Sequence, residues 1–310
     1  MEATFCGAEA NVAVALSGLG HASRMVTILP DNRLGQAALA AMRAFNVDVS
    51  ACSLTSGRMG LYFLSPGAMA RPSEIIYDRA FSAFVEYAPQ SYDWSALLGG
   101  ADWLFVGGIT AALGEGPLQA LQKAMETARN SKIKIAFDCN YRPSLWQGRE
   151  AQAKTVLREL SLQADLLLAG RRAIGMILDT SFDHADPDAG FQAAAQAVFQ
   201  AAPHLMHVAA TRRDVISSDR QRLTALLADR NGIAVSPTLS LDGIVDRIGT
   251  GDAFAAGIVH GLTNSKPLQD NAVFAAACSQ WAHSVSGDFM RATLSDIEGL
   301  LAGGSGDVRR

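Results

Sequence analysis

Short apolar runs alternate along this chain with longer stretches in which apolar side chains recur at helical spacing. Met25–Leu29, Trp103–Val106, Ile133–Phe137, Leu166–Leu168 and His204–Ala210 read as buried strands, with Asn46–Val49 as a further extended piece. Between them Ala8–Leu19, Leu34–Phe45, Pro117–Ala128, Glu150–Leu160 and Phe191–Ala201 carry the helical period. The first of these starts directly after Gly7 and stops at Gly20, and its small residues permit close packing on a sheet. Strand and helix in alternation imply an α/β fold, a central, mostly parallel sheet covered by helices.

Two regions depart from this rhythm. Gly60–Leu64 and Glu74–Arg79 are short β-like runs joined by a loop containing Pro66, Gly67 and Pro72, which predicts a hairpin excursion at about 57–80, a flap over the sheet. Further on, Leu223–Val235 is strand-like but broken at Asn231-Gly232, and after it helices dominate: Asp252–Leu262, Leu268–Val285 and Leu294–Leu301. The tail Gly303–Asp307 is flexible in composition. No repeat and no clear linker divides the sequence, so a single domain over residues 1–310 is expected.

Composition narrows the function. The 310 residues are 49% hydrophobic and 18% charged, enough apolar material for a substantial core. A net charge of -4 and a pI near 5.9, with no long basic cluster, give no footprint for nucleic acid or an anionic membrane, so small metabolites are the expected partners. Cys6, Cys52, Cys139 and Cys278 are widely spaced, without metal or disulfide patterning, which suits reduced thiols in a cytoplasmic protein. The start of the chain lacks a basic region of the kind that opens a signal peptide, and the most apolar long window, about Leu97–Leu113, is broken by Asp102 and glycines.

The chemistry concentrates in Asp246-Arg247-Ile248-Gly249-Thr250-Gly251-Asp252-Ala253-Phe254. Two glycines flank a threonine where a tightly packed helix begins, so backbone N–H groups converge there, with a carboxylate beside them. Such a site holds a phosphate, and the carboxylate can take a proton from a substrate hydroxyl. The residues alone weigh this evenly against an ordinary capped helix start. A second cluster, Asp138-Cys139-Asn140-Tyr141-Arg142-Pro143, follows the strand at Ile133–Phe137, where open α/β sheets meet ligands. Arg142 offers a fork for a carboxylate, while Asp138 and Asn140 suit either a turn or a metal-water network. In the hairpin, Tyr62, Tyr77 and Arg79 either pack locally or swing over a polar substrate. The histidines show no metal spacing, and His260 reads as packing.

These motifs carry a resemblance. Asp246–Phe254 resembles the second signature of the ribokinase (PfkB) family of sugar kinases, and Cys6-Gly7-Ala8-Glu9-Ala10-Asn11-Val12-Ala13 resembles the first, in the same order along the chain. Gly60–Phe63, Tyr77-x-Arg79, Asp138-x-Asn140-Tyr141-Arg142-Pro143 and Gly287-Asp288-Phe289 are similar to the branch that phosphorylates 2-keto-3-deoxygluconate. The resemblance implies a ribokinase-like three-layer sandwich with a β lid, and transfer of the ATP γ-phosphoryl group to the terminal hydroxyl of the sugar acid, giving the 6-phosphate. It implies Asp252 as base and Gly249, Thr250 and Gly251 as the anion hole. Gly7, Asn11, Tyr62, Tyr77, Arg79 and Arg142 would hold the sugar acid, with Arg142 on its carboxylate. Thr211, Arg213, Ala277 and Ser279, together with Gly249 and Gly251, would lie along ATP, with Mg²⁺ bridging phosphates through water. It also implies a homodimer formed through the lids.

Three positions depart from the pattern. Relatives have a strand before the first motif, and here only a handful of residues precede Gly7, so the N-terminal strand is expected to be missing. Arg171 and Arg172 stand where the family has an amide and then an acid, and Leu29-Pro30-Asp31 lacks an expected glycine. Two alternatives follow: a kinase of another sugar such as fructose or ribose, and an inactive, regulatory sugar-acid-binding paralogue.

Overall fold

A computed structural model describes residues 2–87 and 92–303. Four parallel strands, Trp103–Gly107, Lys134–Asp138, Leu166–Leu168 and His207–Val215, lie side by side in that order. Arg220–Asp229 turns back against the last of them, and Gly232–Val235 and Leu239–Asp242 pair antiparallel with it, completing a seven-stranded sheet.

The strands are apolar on both faces, so alternation sends successive side chains into two separate cores. Ile135, Phe137, Leu167, Val208 and Leu226 enter one, beneath helices Glu115–Asn130, Glu150–Ser161 and Pro187–Ala201. Ala136, Leu166, Leu168, Ala209 and Leu227 enter the other, beneath Ala8–Gly18, Thr250–Thr263 and Leu268–His283. The result is the expected three layers, helix, sheet and helix. On the second face small residues bring the helices close: a Cβ on Gly257 would sit 2.7 Å from the Ala275 Cα. This fixes the helix that begins at Thr250 against its neighbour.

The first part of the chain differs from the expectation. The strand expected at Met25–Leu29 occupies Thr27–Pro30, and its parallel partner is Cys52–Thr55 in a separate two-stranded sheet. The piece expected to be extended, Asn46–Val49, contributes only an isolated bridge from Asp48 to Arg24. Asn46 turns the chain with φ 59, and Val47 and Val49 are buried beside the helix Arg33–Arg43. Their apolar character marks burial, not ladder pairing. Among the described residues no strand precedes the helix Ala8–Gly18.

Other boundaries moved for identifiable reasons. The strand expected at His204–Ala210 runs His207–Val215, because its ladder with Arg220–Asp229 continues through the polar residues Thr211–Asp214. Ala83–Tyr87, Trp94–Leu97, Gly108–Ala112 and Arg171–Leu178 are helices too short to show a period in sequence. Beyond Gly303 the tail lies outside the described residues.

The hairpin forms as Leu61–Ser65 against Glu74–Asp78, with Tyr62 opposite Tyr77 and Leu64 opposite Ile75. Its tip is tied to the turn between two central strands: the Ser218 N–H donates to the Met69 carbonyl at 2.8 Å, and its hydroxyl to the Arg71 carbonyl at 2.7 Å.

Candidate active site

The carboxyl ends of the parallel strands bring Gly107, Asp138, Leu168 and the Thr211–Arg213 stretch to one edge of the sheet. The helix Thr250–Thr263 presents its N-terminus there. Its N-cap, Gly249, adopts φ 70 and provides no side-chain cap, so the first-turn N–H groups are left for another acceptor. Glycine is required at that position twice over, by the left-handed backbone and because a Cβ would strike the Asp288 carbonyl. The Asp246 carboxylate shapes the approach, accepting from the N–H groups of Arg247 (2.6 Å), Ile248 (3.1 Å) and Gly287 (3.1 Å). Thr250 is buried and its hydroxyl donates to the Arg247 carbonyl, whereas Gly251 is exposed with open space before it.

Asp252 follows on the first turn. Asn11 donates its side-chain amide to the Asp252 carboxylate at 2.6 Å, and the Gly7 N–H donates to the Asn11 carbonyl oxygen at 3.3 Å. The first motif thus serves to hold the carboxylate of the second. Burial raises the Asp252 pKa to about 7; the Asn11 hydrogen bond opposes this, and the charges of Asp138, Glu9 and Asp288 add to it. Asp138 is raised to about 7 as well, chiefly by burial, against the Asn140 N–H and the Arg142 charge. Asn140 donates that bond at 3.1 Å, a turn contact, so Asp138 both shapes its turn and faces the site. Glu9 accepts from the Gly107 N–H at 3.2 Å and the Thr110 hydroxyl at 2.9 Å.

The hairpin reaches into the same region. The Tyr62 hydroxyl donates to the Asp288 carboxylate at 2.7 Å, and Cys6 lies between them, its thiol pushed up to about 12 by burial and by the Asp288 charge. The Arg79 guanidinium stacks 4.5 Å from the Tyr77 ring centroid and 6.0 Å from that of Tyr62. Tyr77 thus packs within the hairpin, while the Tyr62 hydroxyl reaches Asp288 outside it.

Arg213 shares a face of its strand with Thr211 and donates to the Thr250 hydroxyl at 3.0 Å. Burial and the neighbouring charges of Arg247 and Arg142 lower its pKa to about 10. Arg142 itself is exposed, at the start of the turn Pro143–Leu145. Ser279 is buried and its hydroxyl is spent on the Thr250 carbonyl at 2.9 Å, so it braces the helix start, while Ala277 is 2% exposed within the second core. Arg171 and Arg172 open the helix Arg171–Leu178, and Arg171 donates to the Phe182 carbonyl at 3.4 Å.

The model of the pfkB family of carbohydrate kinases matches residues 1–289. The chain belongs to the pfkB carbohydrate kinase family. Among its relatives, the 2-dehydro-3-deoxygalactonokinase of Haloferax volcanii is 29% identical over 310 residues, covering 100% of this chain and 91% of the relative. The crystal structure of the 2-dehydro-3-deoxygluconokinase of Thermotoga maritima superposes with a TM-score of 0.93 at 33% identity, covering 97% of this chain and 91% of that one. A pfkB family carbohydrate kinase from Listeria grayi gives a TM-score of 0.89 at 32% identity, covering 96% and 90%.

Gly249 gives the helix start no side-chain cap, so the Gly249–Asp252 stretch is not an ordinary side-chain-capped helix start. Sequence reasoning did not assign Glu9, Asp138 or Asp288 to the site, although each adds to the field at Asp252. Each stands in a motif, Glu9 in Cys6–Ala13, Asp138 in Asp138–Pro143 and Asp288 in Gly287–Phe289, but none of the motifs marks it as a neighbour of Asp252.

Proposed function

We propose that this chain transfers the γ-phosphoryl group of ATP to the terminal hydroxyl of 2-keto-3-deoxygluconate or its galactonate epimer, giving the 6-phosphate. The observation that carries the reading is a half-buried carboxylate, Asp252, with a pKa of about 7, three residues beyond the uncapped helix start at Gly249. A base poised near neutrality takes the hydroxyl proton, and the N–H groups beside it meet the charge of the moving phosphoryl group. Arg142 and Arg79 supply cations for the substrate carboxylate, and Tyr62 and Asp288 bond its hydroxyls. The full-length similarity to a galactonokinase keeps both epimers in the proposal.

Thr211, Arg213, Gly249 and Gly251 would lie along the nucleotide. The Nε of Arg213, buried without a hydrogen-bond partner, fits an anionic ligand there. Among the described residues no group of three or more His, Cys, Asp or Glu side chains could hold a metal ion, so the donor set fits Mg²⁺ carried on the phosphates and water. When bound, that ion neutralises phosphate charge. We place the enzyme in the cytoplasm, as one kinase domain with the hairpin as lid; no helix of the described residues is long and apolar enough to cross a membrane. The outward lid face exposes Leu61, Phe63 and Ile76, which would pair two copies. Sedimentation giving only monomer would remove the dimer.

The decisive experiment is coupled ADP release with both sugar acids, fructose and ribose. We expect turnover with an acid substrate, abolished in Asp252→Asn. Arg142→Ala should raise KM for the acid by about 10- to 100-fold, the scale of one charged hydrogen bond, and leave neutral sugars unaffected. Full activity in Asp252→Asn would overturn the base assignment; preference for a neutral sugar would overturn the substrate.

A further inference from the structure

The two arginines in succession on the strand His207–Val215 are treated differently by the fold. Arg212 points to one face, where it pairs with Asp188 and donates to the Thr224 hydroxyl at 3.3 Å. Arg213 points to the other and has no ion pair among the described residues. Its Nη2 bonds the neutral Thr250 hydroxyl at 3.0 Å, and its Nε is buried with no partner. Nor does the neighbourhood neutralise it, since Arg247 and Arg142 act on it with the same sign and Asp252 alone opposes them. A guanidinium left so underpaired is costly unless an anion completes it. The helix start it touches directs free N–H groups to the same place.

Building on the phosphotransferase reading above, we propose that Arg213 is a catalytic residue that holds the transferring phosphoryl group itself, not the body of the nucleotide. The substrate hydroxyl oxygen bonds to the γ-phosphorus as the bond from that phosphorus to the β–γ bridging oxygen breaks. ADP departs with the electron pair, and the hydroxyl proton passes to the Asp252 carboxylate. The guanidinium of Arg213 and the N–H groups at Gly249–Gly251 face the equatorial oxygens throughout. A planar fork suits those oxygens in a way that a point charge does not.

The test compares wild type, Arg213→Ala and Arg213→Lys by steady-state kinetics and by calorimetric binding of two probes: ADP alone, and ADP with aluminium fluoride and the sugar acid, which mimics the phosphoryl group in flight. We expect Arg213→Ala to lower kcat by about 10²- to 10³-fold, with KM for the sugar acid nearly unchanged. Affinity for the aluminium fluoride complex should fall by a similar factor while ADP binding stays within about threefold; added guanidinium should restore part of the rate, and Lys should restore less than Arg. Equal losses for both probes would assign Arg213 to the nucleotide body and overturn the proposal, as would unchanged kcat. A lowered melting temperature without the split between probes would mark a merely structural role and overturn it too. If wild type releases no ADP with either sugar acid, the phosphotransferase reading falls first, an outcome distinct from an active wild type with an equally active Arg213→Ala.

Discussion

Asp252→Asn should leave the protein inactive and more stable. The carboxylate sits at the sheet edge with a pKa raised from 3.8 to about 7, so the native state holds its proton more tightly than the unfolded chain does. For an acid shifted in that direction, stability is complete below about pH 4. It declines as pH rises through the interval to about 7 and is level above it. At roughly 1.4 kcal/mol for each pH unit, the full interval corresponds to about 4 kcal/mol. Coupling to Asp138 and the partial exposure of the side chain reduce what one substitution recovers to about 2–3 kcal/mol. Asparagine removes the charge and can still accept the Asn11 amide hydrogen, so its packing cost is small. Urea denaturation of both proteins at pH 8 and pH 5 measures this directly. The variant should be more stable at pH 8, with the gap at least halved at pH 5. A gap that is independent of pH, or a variant less stable at pH 8, would refute the claim that charge burial sets this site.

Three further outcomes are expected. Asn11→Leu removes the one hydrogen bond that favours the charged form of Asp252, so the acidic limb of the kcat/KM profile, expected near pH 7, should move upward by about one to two pH units; an unmoved limb would show that Asp252 is not the group titrating. Tyr62→Phe severs the hairpin from Asp288 and should raise KM for the sugar acid about tenfold or more with a smaller change in kcat, read by steady-state assay; an unchanged KM would detach the hairpin from substrate binding. His260 is buried against Phe274, bonded to His21 at 2.9 Å and lowered to about 4, so the fold should be at full strength above pH 6.5 and lose up to about 3 kcal/mol as pH falls toward 4. His260→Gln should flatten that dependence in denaturation curves.

What could be read in the sequence was whatever is local. From Trp103 onward, apolar runs bounded by polar turns marked the strands of the central sheet other than the short Leu239–Asp242, which shows no apolar run, since a strand buried on both faces has no other composition open to it. Where pairing and burial part company the reading slipped: Val47 and Val49 are buried without a ladder, and the His207–Val215 strand pairs through polar residues. The same division runs through the site. Gly249, Thr250, Gly251 and Asp252 are adjacent, and one helix start accounts for them.

The remaining members of the site are assembled across the fold. Asn11 and Asp252 are 241 positions apart, and the amide that orients the carboxylate is recognisable only once the helices beginning at Ala8 and Thr250 pack together. Tyr62 and Asp288 are 226 positions apart and meet because the hairpin folds over the sheet edge. Glu9 and Asp138 stand in recognisable motifs, but they matter as charges near Asp252, a property of distance in space and not of spacing in sequence. The Asp252 pKa is raised first by burial and then by like charge, and both come from tertiary structure. The fold holds Asp252 near neutrality chiefly by burying it and further by gathering three more acids around it, and the Asn11 hydrogen bond opposes both. The base is therefore a property of at least five residues, of which the sequence tied only Asp252 to that role.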